Sequence, residues 1–102
     1  MLRTLLLTGI VLISLPIQTA AKQLRVGVSG SPPFVMGGED MLSGISVEIW
    51  NDVAERLDQS YEFIIKPNTD ANIKAVADGT VDLAIGPISI TPARLANPKI
   101  DF

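Results

Sequence analysis

Three short runs with strand patterning, separated by two helical stretches, limit this chain to a small set of folds. In Leu24-Arg25-Val26-Gly27-Val28-Ser29, apolar residues alternate with polar or small ones, which predicts a strand with Leu24, Val26 and Val28 on one face. Residues 61–66 predict a second strand and residues 81–85 a third. Between the first two, Ile45, Ile49, Val53 and Leu57 recur every fourth residue, with Trp50 and Ala54 beside them and Glu48, Asp52, Glu55 and Asp58 opposite. That spacing predicts an amphipathic helix of about three to four turns, buried along its isoleucine stripe. Between the second and third strands, residues 71–78 predict a shorter helix burying Ile73, Val76 and Ala77. It follows the turn Pro67-Asn68-Thr69-Asp70 and stops at Gly79. Strands that alternate with helices run parallel, with right-handed crossovers. The fold class is therefore α/β, a mainly parallel sheet in βαβαβ order. Open sheets of this kind take ligands beyond the carboxyl ends of their strands.

Two segments with unusual chemistry lie at those ends. After the first strand come Gly30-Ser31-Pro32-Pro33-Phe34 and a hairpin-like excursion through Gly37-Gly38-Glu39-Asp40. After the third comes Gly86-Pro87-Ile88-Ser89-Ile90-Thr91-Pro92-Ala93-Arg94. Pro87 has no N–H to continue a ladder. Thr91 before Pro92 is an N-cap followed by proline at the first helical position, which puts Arg94 in the first helical turn. A cation there opposes the helix dipole unless an anion sits between them. The Ser89 hydroxyl, backbone N–H groups and the Arg94 guanidinium together suit a carboxylate. This reasoning expects the guanidinium to face the open end of the sheet and to be uncommitted to any neighbouring acid. Asn68 and Thr69 stand at the end of the second strand, where lining a cleft and simple turn chemistry account for them equally well.

The amino terminus has a different character. Arg3 supplies a positive start, residues 5–17 are largely apolar, and Thr19-Ala20-Ala21 gives small residues before Lys22. This predicts a secretory signal peptide, residues 1–21, cleaved after Ala21. The apolar run falls short of the roughly 20 residues a membrane span needs, and Pro16 interrupts its end. Residues 22–102 then form one small exported domain, on the periplasmic or extracellular side of the membrane. With no cysteine, it relies on packing alone. The formal net charge of −3, with no basic patch, argues against nucleic acid as a partner. The chain has no histidine, the commonest general base and metal ligand, and no metal or cofactor is implied.

The blocks Leu24-Arg25-Val26-Gly27-Val28, Pro32-Pro33-Phe34-Val35, Gly44-Ile45-Ser46-Val47-Glu48-Ile49-Trp50, Gly79-Thr80-Val81-Asp82-Leu83, the 86–94 segment and Ile100-Asp101-Phe102 stand in a telling order. Together they resemble the first lobe of bacterial extracellular solute-binding proteins of family 3, the type II periplasmic-binding fold. Within that likeness, the Pro-Ile-Ser-Ile-Thr-Pro-x-Arg run is closest to the ligand-binding domain of prokaryotic ionotropic glutamate receptors. The resemblance implies a three-layer lobe that recognises a small, glutamate-like α-amino acid, for uptake or for gating an ion channel. It implies that Arg94 clamps the ligand's α-carboxylate, that Ser89 contacts carboxylate and amino group, that the Pro87 carbonyl accepts from the ammonium, and that Phe34 covers the ligand. A planar guanidinium does suit a carboxylate. Thr91 is better explained as the helix cap. The complete fold has two lobes, so residues 22–102 read as a partial first lobe, truncated or the opening part of a longer protein. A missing second lobe or pore segment, on the same or another chain, is then a partner. Half a cleft leaves ionic contacts in water, so the lobe alone is expected to bind an amino acid weakly or not at all.

The competing enzyme class, dehydratases and cell-wall lyases of related fold, needs a carboxylate acid or base. Glu39, Asp40, Glu48 and Asp82 are the candidates. Glu48 suits a solvated helix face and Asp82 the start of a strand, and without His or Cys no nucleophile–base pair can be assembled. An inactive fragment is the remaining alternative, with an unprotected sheet edge that favours aggregation.

Overall fold

A computed structural model describes residues 22–102, together with Gly9 and residues 12–14. The signal peptide expected at residues 1–21 therefore falls almost wholly outside the described residues. The elements are β1 (Leu24–Val28), α1 (Ile45–Arg56), β2 (Tyr61–Ile65), α2 (Thr69–Ala77), β3 (Leu83–Ile85) and α3 (Pro92–Leu95). The sheet has the order β2-β1-β3 and both pairings are parallel. Val26 lies opposite Phe63 on one side and Leu83 on the other, and Val28 opposite Ile65 and Ile85.

Because β1 is central, its alternating side chains feed both faces. Val26 and Val28 are fully buried against Val47, Trp50 and Ala54 of α1, with Phe63, Leu83 and Ile85 around them. Burying a valine side chain contributes about 1.5–3 kcal/mol. Trp50, Tyr61 and Phe63 continue this layer edge to face, with centroids 5.5 Å and 5.1 Å apart. Gly27 faces the other way, toward Asn72 and Val81 on the α2 side. The helices thus cover opposite faces, and the layers are helix, sheet, helix.

The face of α1 differs from the expected one. Ile45, Ile49, Val53 and Leu57 are all exposed, and the buried residues are Val47, Trp50 and Ala54. A step of four residues overshoots a full turn by about 40°, so the isoleucine stripe winds about 120° round the helix. Residues 47, 50 and 54 stay within about 60° and present one compact face. In α2 the expected Ile73, Val76 and Ala77 are half-buried flanks, and Asn72 and Ala75 occupy the centre of the contact. The punctuation falls as expected. Gly79 follows α2 at φ +75°, Thr91 caps α3, and the 30–44 excursion closes with an antiparallel bridge between Met36 and Ser43. Asn68 proves to be the N-cap of α2, its Oδ1 accepting from the Ala71 N–H at 2.8 Å. Among the described residues, no helix is long and apolar enough to cross a membrane.

Candidate functional site

The carboxyl ends of β1 and β3 are drawn together where the two unusual loops leave the sheet. The Ser29 N–H donates to the Ile85 carbonyl at 3.3 Å. Gly86 has φ +144°, and a Cβ there would run into the Ser29 carbonyl oxygen, so only glycine fits this crossing. One residue further along each loop, Pro87 packs against Gly30, where a Cβ would lie 2.5 Å from the proline Cδ. These contacts place the Pro87 carbonyl and the start of the 86–94 loop directly beside the loop after β1.

Beneath this junction lies Asn72, fully buried on α2. Its Nδ2 donates to the Gly27 carbonyl (3.1 Å), the Ser29 Oγ (3.1 Å) and the Ile85 carbonyl (3.3 Å). One amide therefore ties α2 to both strand ends that carry the loops. Its Oδ1 has no hydrogen-bond partner among the described residues. Nothing in the sequence reading marked Asn72. The available signal was Gly27, a residue without a side chain in the middle of a strand, which leaves room for a polar group from the adjoining layer.

Phe34 is held by the start of α1. The first N–H groups of that helix, from Ile45 and Ser46, donate to the Pro33 and Phe34 carbonyls at 3.1 and 3.0 Å, satisfying donors that every helix start leaves unpaired. Gly44 makes the approach possible at φ +111°, since a Cβ there would stand 2.5 Å from the Phe34 oxygen. Phe34 is 40 % exposed, a large apolar residue left partly open to solvent.

Arg94 and Ser89 are brought into contact, with a different pairing from the expected one. Arg94 Nη1 donates to the Ser89 backbone carbonyl at 2.7 Å, and the Ser89 side chain is exposed. The Thr91 Oγ1 accepts from the Arg94 N–H at 3.2 Å, closing the loop as a cap. Two expectations are corrected here. The guanidinium is not free of neighbouring acids: Nη2 donates to Asp70 Oδ1 at 3.1 Å. And α3 is a single four-residue turn, too short to sum a significant dipole, so helix electrostatics give no independent case for an anion beside Arg94. The pair with Asp70 is one-pronged, and the Asp70 side chain is 92 % exposed while that of Arg94 is 21 % exposed. A pair so wet on one side contributes about 1 kcal/mol or less. A guanidinium carries five N–H donors, and most of those on Arg94 are not used by Ser89 and Asp70.

The other conspicuous ion pair sits at the amino end of the strands. Asp82 accepts from Arg25 Nη2 (3.1 Å), Nε (3.3 Å) and the Arg25 backbone N–H (2.8 Å). The Arg25 side-chain hydrogen bonds, and then its backbone N–H, hold the Asp82 carboxyl down at about 2. This fork joins β1 to the start of β3, and it is structural in character. A groove of about 720 Å³ between α2 and β3, lined by residues such as Ile73, Val76, Leu83 and Phe102, contains none of Phe34, Pro87, Ser89 or Arg94. Besides these apolar side chains it is lined by Asp82, Lys99 and Asp101, of which Asp82 is already paired with Arg25. A smaller concavity of about 400 Å³ lies at the carboxyl ends of β1 and β2, beside Ser29, Gly30 and Lys66.

Comparison with known proteins finds one family model and several relatives of the same fold. A family model for bacterial extracellular solute-binding proteins, family 3, fits residues 24–102. A protein of Vibrio harveyi described as the amino-acid ABC transporter-binding protein PatH is 31 % identical over 76 % of this chain and 31 % of its own length. The GluR0 ligand-binding core in complex with L-glutamate superposes with a TM-score of 0.70 at 43 % identity, over 78 % of this chain and 35 % of that one. An ancestral cyclohexadienyl dehydratase superposes with a TM-score of 0.62 at 25 % identity, over 72 % and 31 %. The chain thus spans about a third of the length of these relatives.

Proposed function

Since this chain belongs to the bacterial extracellular solute-binding proteins, family 3, we propose that residues 22–102 form part of an amino-acid-binding first lobe that takes a glutamate-like α-amino acid outside the cytoplasm. In this assignment Arg94 grips the α-carboxylate, the Ser89 hydroxyl reaches carboxylate and amino group, the Pro87 carbonyl accepts from the ammonium, and Phe34 shields the polar contacts from water. Residues 1–21 direct export and are removed in the process, and a second lobe or a pore segment supplies the rest of the cleft. The observation that carries the assignment is the 86–94 loop. It sets a carbonyl, a hydroxyl and a guanidinium with unused donors at the carboxyl end of a parallel sheet, where such sheets take ligands. The 43 % identity to a core crystallised with L-glutamate favours an acidic amino acid and a receptor-like role over general uptake.

The likeness to a dehydratase raises an enzymatic alternative. It finds little support in the acids available. Asp82 is committed to Arg25 at the far end of the strands, and Glu39, Asp40 and Glu48 are exposed.

The test uses the full-length protein carrying both lobes, titrated calorimetrically with L-glutamate and a panel of other amino acids. Arg94→Ala is expected to weaken binding at least about 100-fold, the loss of a charge-assisted, two-pronged contact. Unchanged affinity in that variant, or no amino-acid binding by the parent, refutes the assignment. A current evoked by L-glutamate in reconstituted membranes selects gating, and binding without current selects transport.

A further inference from the structure

The bond between Asp70 and Arg94 has no role in the assignment just given, although it spans 24 residues of sequence and meets the central ligand-binding group. Asp70 lies in the first turn of α2, two residues after the Asn68 cap and two before Asn72, which is itself bonded to the ends of β1 and β3. Its backbone is thus fixed at both sides, while its carboxylate reaches out through solvent to a single nitrogen of Arg94.

An arginine has four side-chain torsions, and a free one samples many rotamers. The Ser89 carbonyl pins Nη1 and leaves the guanidinium able to pivot about that point. A second bond at Nη2, from a different element, removes the pivot and fixes the plane of the group. A carboxylate ligand that needs two parallel N–H donors gains from a plane fixed beforehand, because less freedom is lost on binding. The opposing physical effect is repulsion between the Asp70 carboxylate and that of the ligand. It is damped here because the Asp70 side chain is 92 % exposed and screened by water and salt.

We propose that Asp70 is a positioning residue for the ligand-binding site, acting from α2 to hold the Arg94 guanidinium in the plane that receives the ligand's α-carboxylate. This rests on the assignment of Arg94 as the carboxylate anchor. It predicts that the hydrogen-bond acceptor at position 70 matters more than its charge.

The experiment has two arms that separate failure of this inference from failure of the functional assignment. In ligand-free protein, the Arg94 Nη resonances are recorded by nitrogen-detected NMR for the parent, Asp70→Asn and Asp70→Ala. Resolved, slowly rotating Nη groups are expected in the parent and in Asp70→Asn, which keeps the Oδ1 acceptor, and averaged signals in Asp70→Ala. Identical Arg94 signals in all three overturn the inference whether or not any amino acid binds. In the second arm, L-glutamate affinity of the full-length protein is measured for the same variants, with their melting temperatures. Asp70→Ala is expected to weaken binding about two- to fivefold, the worth of one solvent-exposed pair, at an unchanged melting temperature, with Asp70→Asn restoring most of it. Affinity that is equal or tighter in Asp70→Ala overturns the inference and makes Asp70 a competitor for Arg94. Loss of binding in Arg94→Ala stands apart from either result and tests only the anchor.

Discussion

Gly27→Ala places one methyl group at the most crowded point of the sheet. A Cβ on Gly27 would overlap the Asn72 Oδ1 outright and come within 3.2 Å of Asn72 Cγ and 3.3 Å of Val81 Cγ2. Asn72 cannot step aside at small cost. It is fully buried, and its Nδ2 serves three acceptors on β1, on Ser29 and on β3. Overpacking a filled interior costs about 1–3 kcal/mol, and leaving a buried acceptor unpaired adds about 1–3 kcal/mol. Replacing a strand glycine with alanine returns about 0.5–1 kcal/mol. The net expectation is a loss of about 1–5 kcal/mol, centred on about 3 kcal/mol and comparable with the whole stability of about 3–5 kcal/mol that a core of this size supplies. Urea titration followed by the fluorescence of Trp50, the single tryptophan and a buried one, reads the change directly. The decisive comparison is a double-mutant cycle. In an Asn72→Ala background the obstructing amide is gone, and Gly27→Ala should change stability by less than about 1 kcal/mol. A Gly27→Ala protein within about 0.5 kcal/mol of its parent, or a penalty that persists undiminished without Asn72, refutes the reasoning.

Asp82 makes an acid-side prediction. Its folded carboxyl sits at about 2 against an ordinary value of 3.8, chiefly because the Arg25 side chain donates to it. A depressed folded value means a stabilisation fully present above about pH 4 and lost as pH falls toward about 2. Asp82→Asn should therefore flatten the dependence of melting temperature on pH across that window, and parallel acid limbs for parent and variant would remove the pair from the account. Asn68→Ala should cost about 1 kcal/mol through loss of the α2 cap. Amide exchange in the first turn of α2 should rise with it, and an unchanged urea midpoint with unchanged exchange contradicts the capping role.

The legible parts of this molecule are those written in local chemistry. The strands at Leu24–Val28 and Tyr61–Ile65 announce themselves by β-branched and aromatic runs, and the caps at Thr91 and the stop at Gly79 by residue types that work within one turn. The βαβαβ order follows from their succession, and with it the end of the sheet where loops carry function. What stayed hidden depends on partners distant in sequence. The isoleucine stripe of α1 scores as a core face by spacing alone, yet the sheet receives Val47, Trp50 and Ala54, because a four-residue period drifts and a mixed period of three and four does not. Asn72 reads as an ordinary polar helix residue until β1 brings Gly27 against it, and Asp70 reads as turn chemistry until Arg94 arrives beside it. Both hidden residues stand in the first half of α2, an element to which no ligand role was assigned. A helix that fixes the strand ends through Asn72 and touches the proposed anchor Arg94 through Asp70 can set the geometry of the proposed site without itself supplying a ligand contact. In a parallel sheet this follows from topology. The crossover helix between β2 and β3 must start at the carboxyl edge of the strands, the edge the loops after β1 and β3 also leave from, and here its first turn reaches the 86–94 loop and α3 through Asp70.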